Sequence, residues 1–474
     1  MNNSAQALEN LSPVPGSFRD PKGHVAKGNV GEVFRFITQT GKADFAAVEE
    51  SGLYAHLIEA NKLIAHEHVP VSDIAGAAGG HTLLKHPELP MVSYPYEWCF
   101  QQMKQAALLQ LDLYLESLEF GVTLSDATAF NVQFMHGKPI FIDTLSFVPY
   151  TPGQFWNGQE QFTEQFLNPL LLTAYSGVPF NDIYRGSMTG VSSDLISAVT
   201  PLRKKLSWRY FNYIHLPRQS KKRSLSTGAE GVRKIEGKLP KEGFQFILKQ
   251  LRGWTNALSA PEAPSTWVSY TQTRTYEDRS VEQKVRFVAD AVAQAEPGQV
   301  LDIGCNTGEF SFLALAAGAK HVVGLESDHQ ALSTAYAQAA EKGANFLPIY
   351  QNATNPSPAQ GWASEERDSI GARVDADFIL ALAILHHIII SGNVPLPRAV
   401  AYLTDLAPSG VIEWVPKSDP MVQTLLRNRE DIFADYNDAA FEQALQRNGA
   451  KIVRKQLLEN GRTLYLYDRS TGGA

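Results

Sequence analysis

The chain has little cysteine: Cys99 and Cys305 are the only two in 474 residues. Two cysteines cannot make a disulfide framework or a zinc site of the usual cysteine spacing, so a reducing, cytoplasmic setting is expected. Long apolar runs are also missing. No stretch reaches the length of about 18 apolar residues that a helical membrane span needs. The opening MNNSAQALENLSPVPGS lacks the basic-then-apolar order of a signal peptide. No internal repeat is visible. Charged residues are modest at 19%, with a net charge of −7, against 44% hydrophobic residues. That balance belongs to an ordinary soluble protein with sizeable cores. The charge is uneven, however. Between Pro201 and Gly253 there are 14 Lys/Arg and 3 Asp/Glu. Such a belt attracts anionic partners. Aromatics are sparse around its densest run, Lys221–Lys222–Arg223. A solvated inter-domain segment is therefore the expected role, and nucleic acid the less favoured partner.

At about 150 residues per domain, two or three domains are expected. Residues 1–17 read as disordered. FRDPKGHVAKGNVGEVFRFI, residues 18–37, reads as a small hairpin. Residues 44–65 carry Phe45, Val48, Leu53, Leu57 and Ile58 at helical spacing. Met103 to Leu118 is a second amphipathic helix. Strands NVQFM and KPIFID flank a His136–Gly137 turn, and helix dominates from Glu160 to Leu258, with a break at SLSTGAEG. Proline and small residues cluster in SAPEAPS, residues 259–265. The predicted organisation is one α+β domain over 18–258, a linker over 259–266 and a second domain over 267–474.

After that linker the rhythm changes to strand and helix in alternation. QVLDIG, HVVGLE, NFLPIY, ADFILAL and GVIEWV read as strands, and KIVRKQLL and TLYLYD flank Asn460–Gly461–Arg462, a tight-hairpin signal. This pattern predicts a doubly wound α/β fold. Its first strand runs into a glycine turn, VLDIGCNTGEF. A dinucleotide fingerprint, G-x-G-x-x-G, needs glycines where this chain has Asn306 and Glu309. A carboxylate at the start of the following helix is a poor host for pyrophosphate, so NAD and FAD are disfavoured. S-adenosylmethionine poses a different problem, being cationic and free of phosphate. Asp302 supplies a negative charge at the strand end. Gly304 and Gly308 permit close approach of the backbone. Asn306 hydrogen-bonds without adding charge. Glu326 ends the next strand, where a carboxylate accepts ribose hydroxyls. A degenerate Rossmann domain that binds nothing is the alternative.

LDIGCNTG followed by GLESD resembles motifs I and II of the class I S-adenosylmethionine-dependent methyltransferases. The resemblance runs from Trp267 to Asp468. It implies a Rossmann-like, seven-stranded sheet with an antiparallel last strand. It also implies a cofactor held by Asp302, Gly304, Asn306, Gly308 and Glu326, with Asn352 of IYQNATNPSP at the adenine. ALAILHHIIISGN places His386 and His387 at the carboxyl edge of the sheet, as the catalytic candidates. Each is a base or a hydrogen-bonding group for the methyl acceptor, or else a packed helix-start residue. Glu413, Lys417 and Asp419 reach the same rim. There Lys417 pairs with an anionic acceptor or with Asp419. Trp267, Tyr270, Tyr276 and Lys284 form a lid or pack between domains. No metal-ligand cluster is expected in this half.

In the first half, GVTLSDATAFNVQFMHGKPIFIDTLSF sets Asp126, Asn131 and Asp143 at a spacing that resembles the catalytic loop and metal-binding aspartate of protein-kinase-like and aminoglycoside-phosphotransferase-like folds. The resemblance implies a kinase-like domain with ATP and magnesium at those three residues. Leu124–Ser125 stands where the family has His–Arg or His–Gly, Thr–Leu follows Asp143 instead of Phe–Gly, and GNVGEV is a weak substitute for the glycine loop. No V-A-I-K strand is evident, and Arg35 is the available cation. Taken whole, the chain resembles a bacterial methyltransferase family, some members of which are labelled nodulation proteins. The expected activity is methyl transfer to an unidentified acceptor that the front half helps to recognise. The alternatives are a bifunctional enzyme that also transfers phosphate, and a non-catalytic binding scaffold. Neither acceptor nor oligomeric state is specified by the sequence.

Overall fold

The computed structural model describes residues 11–28, 31–70, 82–226, 238–261, 278–427 and 429–469. The first ten residues, most of the predicted linker, and Trp267, Tyr270 and Tyr276 lie outside the described residues. The chain divides into two units. One comprises residues up to Leu89, Ser93–Glu262 and Ala359–Arg367; the other comprises Pro90–Val92, Ala263–Pro358 and residues from Asp368 on. Two short segments thus depart from a linear division. Among the described residues no helix is long and apolar enough to cross a membrane.

The first unit opens with a five-stranded antiparallel sheet in the order β1-β2-β3-β5-β4. The strands are β1 (Ser12–Pro13), β2 (Gly23–Lys27), β3 (Val33–Ile37), β4 (Glu67–Val69) and β5 (Thr82–His86). Helices α1 (Gln39–Glu50) and α2 (Leu53–Glu59) lie between β3 and β4 in sequence. They replace the single helix expected over 44–65. Gly52 takes φ +81°, and this left-handed residue ends the first helix and reorients the second. Helix α3 (Phe100–Glu119) follows, capped by Cys99 and Gln102. Beyond it, β6 (Val122–Leu124) pairs with β9 (Phe147–Pro149), and β7 (Val132–Met135) with β8 (Lys138–Phe141). The β7–β8 turn has both His136 and Gly137 at positive φ, the twist a two-residue hairpin requires. Helix α4 (Lys241–Ala257) buries Phe244, Leu248, Leu251 and Trp254, the stripe of an amphipathic helix.

The second unit holds a seven-stranded sheet in the order β12-β11-β10-β13-β14-β16-β15. Its strands are β10 (Gln299–Ile303), β11 (His321–Glu326), β12 (Phe346–Tyr350), β13 (Phe378–Ala381), β14 (Ser409–Trp414), β15 (Lys451–Leu457) and β16 (Thr463–Asp468). The first five are mutually parallel, and β16 runs antiparallel to both its neighbours. Every residue of β10 is buried, as a parallel strand covered on both faces demands. Helix α5 (Asp278–Ala295) precedes β10 and buries Phe287, Val288, Ala291 and Val292 in a core cluster with Val300, Val411 and Leu464 of the sheet. The β15–β16 hairpin is closed by a loop in which Gly461 alone has positive φ, while Asn460 does not, so the two-residue turn is replaced by a longer one. Trp414, at the end of β14, stacks on Tyr436 at 4.4 Å and on Phe441 at 5.0 Å. Such aromatic contacts add about 0.5–1.5 kcal/mol each beyond area burial and fix this end of the sheet.

Candidate active site

The glycine turn between β10 and helix α6 (Glu309–Ala316) is built by backbone geometry. Gly304, Asn306 and Gly308 have φ of 79°, 51° and 90°. The Gly304 and Cys305 amides donate to the Leu325 carbonyl at the tip of β11, at 2.8 and 3.1 Å. A Cβ on Gly308 would lie 2.6 Å from the Phe346 ring, and one on Gly304 would lie 3.2 Å from Ile384. Both positions therefore need glycine for conformation and for space. The turn's own polar groups are only partly used. Asn306 Oδ1 is buried and accepts no hydrogen bond.

Glu326 joins the strand tip to this turn. Its Oε2 accepts from the Asn306 amide at 2.9 Å, and its Oε1 from the Ser327 and Asp328 amides at 2.7 and 2.8 Å. Burial pushes its pKa up, and the three amides oppose the rise. A carboxylate has about four acceptor positions, so capacity for a hydroxyl remains. Asp302 lies deeper, 2% exposed, opposite Gly324 in the register. Its Oδ2 accepts from Ser311 Oγ at 2.7 Å, on the first turn of α6. Burial raises its pKa to about 6, helped by the Glu326 charge and opposed by Ser311 and Lys284. The two acids share one electrostatic neighbourhood, but only Glu326 bonds the turn itself. Asn352 follows β12 and is exposed, with Oδ1 already accepting from the Thr354 amide and hydroxyl at 2.9 and 2.7 Å.

The segment leaving β13 passes the same turn, since Ile384 is the neighbour of Gly304. Two residues later, His386 is 1% exposed and neither ring nitrogen has a partner. Burial first, then His387 and Arg462, hold its pKa down at about 3, so the ring is neutral. His387 is half-buried, its ring centroid 4.2 Å from that of His386, and burial lowers its pKa too. Beside them lies a buried charge network. Glu413, 1% exposed, bonds Lys284 at 2.5 Å and Arg462 at 3.3 Å, and Arg462 bonds Asp419 at 2.8 Å. Burial alone would raise Glu413, but the two cations outweigh it and keep its carboxyl below the usual range. Two carboxylates and two cations balance, as buried ions must. Lys284 also lies 4.7 Å from the Phe310 ring centroid. Lys417 departs from expectation: it pairs with Asp431 at 2.6 Å, not with Asp419, which caps the following helix through the Met421 amide. Sequence reasoning missed Ser311 and left Arg462 without a role. Ser311 was findable from its place in the first turn of the helix that follows the glycine turn.

In the first unit, Asp126, Asn131 and Asp143 do come together. Asn131 Nδ2 donates to Asp143 Oδ2 at 3.3 Å, and Ser146 Oγ lies 2.8 Å from Asp126 Oδ1 and 2.6 Å from Asp143 Oδ2. Arg35, from β3, pairs with Asp143 at 2.7 Å. Burial and the Asp143 charge raise the Asp126 pKa to about 6. The Ser146 hydroxyl has one proton for two carboxylates, and Arg35 offsets only one of their two charges.

No family model matches the chain. Nodulation protein NoeA from Rhizobium meliloti (strain 1021) is 40% identical over 461 residues, covering 96% of this chain and 96% of that protein. Among solved structures, the bifunctional kinase-methyltransferase WbdD is similar with a TM-score of 0.32 and 16% identity, over 44% of each chain. The magnesium protoporphyrin IX methyltransferase ChlM from Synechocystis PCC 6803, with bound SAM, is similar with a TM-score of 0.29 and 21% identity, over 44% of this chain and 87% of that one.

Proposed function

Because the chain belongs to the family of nodulation protein NoeA, and because its second unit carries an acid-tipped glycine turn on a seven-stranded sheet, we propose that it is an S-adenosylmethionine-dependent methyltransferase. The observation that carries the reading is the Glu326 carboxylate tied to the Asn306 amide across the turn. It sets an acceptor for ribose hydroxyls beside a turn whose Gly304, Asn306 and Gly308 all have positive φ. The unpartnered Asn306 Oδ1 suits a cationic amine, and the Asp302 charge beneath suits a cationic ligand rather than a diphosphate. When bound, the cofactor supplies an electrophilic methyl group on sulfur.

The chain's own residues then align and desolvate the acceptor. Gly304 and Gly308 give close approach, Glu326 accepts the ribose hydroxyls, and Asp302 supplies the counter-charge to the cation. His386 is neutral at physiological pH and acts as a hydrogen-bonding group toward the acceptor. His387, less buried, is the better placed to take a proton where the acceptor must lose one. Asn352, already bonded within its own turn, contributes little to the adenine. The acceptor is unidentified, and we assign its recognition to the first unit. A cytoplasmic setting suits the two free, buried cysteines.

Isothermal calorimetry tests the reading: wild type should bind S-adenosylmethionine, and Glu326→Gln should weaken it by about 10- to 100-fold, the worth of a hydrogen bond to a charged group. Failure of the wild type to bind the cofactor would sink the reading. A second activity, magnesium-dependent phosphate transfer in the first unit, is favoured by the one negative charge of the Asp126–Asp143 pair that Arg35 does not offset. It requires Mg-ATP binding that Asp143→Ala removes, and calorimetry showing no nucleotide binding to wild type would eliminate it.

A further inference from the structure

The first unit holds a second cluster of ligating side chains, away from Asp126 and Asp143 in function and in chemistry. Glu49 lies in the last turn of α1, His66 immediately precedes β4, and His68 is the middle residue of that strand. His68 Nε2 and Glu49 Oε1 are 2.6 Å apart. One ligand atom from each of Glu49, His66 and His68 falls within 4.8 Å of the others.

The rings are held in place by packing. Phe45, one turn before Glu49 on α1, lies 6.0 Å from His66 and 5.9 Å from His68, and Tyr54 meets His66 edge-on at 5.4 Å. His66 is therefore oriented before any ligand arrives. Its Nδ1 is buried without a partner, and so is Nε2 of the adjacent His86, whose ring centroid is 6.1 Å away. Such orphaned nitrogens are unusual in an interior.

We propose that Glu49, His66 and His68 form a binding site for a divalent transition metal of the zinc class. Two imidazoles and one carboxylate are the donor set that zinc takes and that magnesium and calcium avoid. In a tetrahedral zinc site neighbouring donors are about 3.3 Å apart, which follows from metal–ligand bonds of about 2.0 Å. The His68 and Glu49 side chains, 52% and 44% exposed, have the freedom to close that difference, and water completes the fourth position. The ion would tie the last turn of α1 to the edge strand of the sheet. Sequence spacing hides the site, because Glu49 joins the two histidines only through the pairing of helix and strand.

The test uses the full chain, free of any affinity tag and stripped with a chelator. Zinc chloride is titrated in competition with a chromogenic chelator, and thermal unfolding is followed with and without zinc. The expected result is about one zinc per chain and a higher unfolding midpoint when loaded. His68→Ala and Glu49→Gln alter half-exposed groups, so both should fold, and each should weaken zinc binding by more than about 100-fold, since even outer-sphere partners are worth 10- to 100-fold. Magnesium chloride should leave the midpoint unchanged through this site. Equal zinc uptake by wild type and both variants, or no saturable uptake by wild type, would overturn the proposal.

Discussion

Asp302→Asn exchanges a buried carboxylate for an amide of the same shape. Burial lifts the Asp302 pKa from 3.8 to about 6, so the folded chain holds this proton more tightly than the unfolded chain does. Stability from this group is then fully present below pH 3.8 and lost as the pH rises to about 6. At about 1.4 kcal/mol per pH unit, the ionised side chain costs the fold as much as about 3 kcal/mol at neutral pH. Asparagine carries no charge to desolvate, and its Oδ1 keeps the bond from Ser311 Oγ. The variant should therefore be more stable than wild type by about 1–3 kcal/mol near pH 7.5, and nearly level with it near pH 4. Urea unfolding midpoints of both proteins at the two pH values measure this. The same change should weaken S-adenosylmethionine binding, because the cation loses its counter-charge. A variant that is less stable near pH 7.5, or equally stabilised at both pH values, would refute the reasoning.

Three further outcomes follow from the geometry. Glu413→Gln removes the carboxylate that Lys284 and Arg462 share and leaves Arg462 with Asp419, and should cost about 3–5 kcal/mol in urea unfolding, as loss of one partner of a buried pair does. Asn352→Ala should change S-adenosylmethionine affinity by less than about threefold, because its oxygen is consumed by Thr354 and the lost contact is exposed. The His386 ring, held at about 3, should show no protonation by NMR near pH 5, whereas an exposed histidine titrates near 6.5.

The second unit was the more legible half. Its parallel strands are buried on both faces and read as continuous apolar runs, and its turn announces itself through Gly304, Asn306 and Gly308. Glu326 was findable because a strand end is a fixed place in such a sheet. Partnerships across elements were not. Lys417 finds Asp431 in an irregular segment that has no periodic signal, and Glu413 gathers Lys284 from a helix and Arg462 from a hairpin loop. Ser146 sits between two aspartates whose spacing was visible, but the hydroxyl shared by them was not. The break at Gly52 was missed because one glycine within an apolar helical pattern is weak evidence until its φ is known.

Glu366 belongs to the first unit, where it takes a two-pronged bond from Arg19 at 2.6 and 2.9 Å, yet it is encoded far downstream, after β12. Met91, 4% exposed in the core of the second unit, is encoded upstream of most of the first. A gene severed at the nominal border after Glu262 would strand both pieces: one fragment would lose an acid its N-terminal arm grips, and the other a plug from its interior. The halves are not interchangeable cassettes, and a partner swap between relatives would have to carry these two exchanged snippets with it.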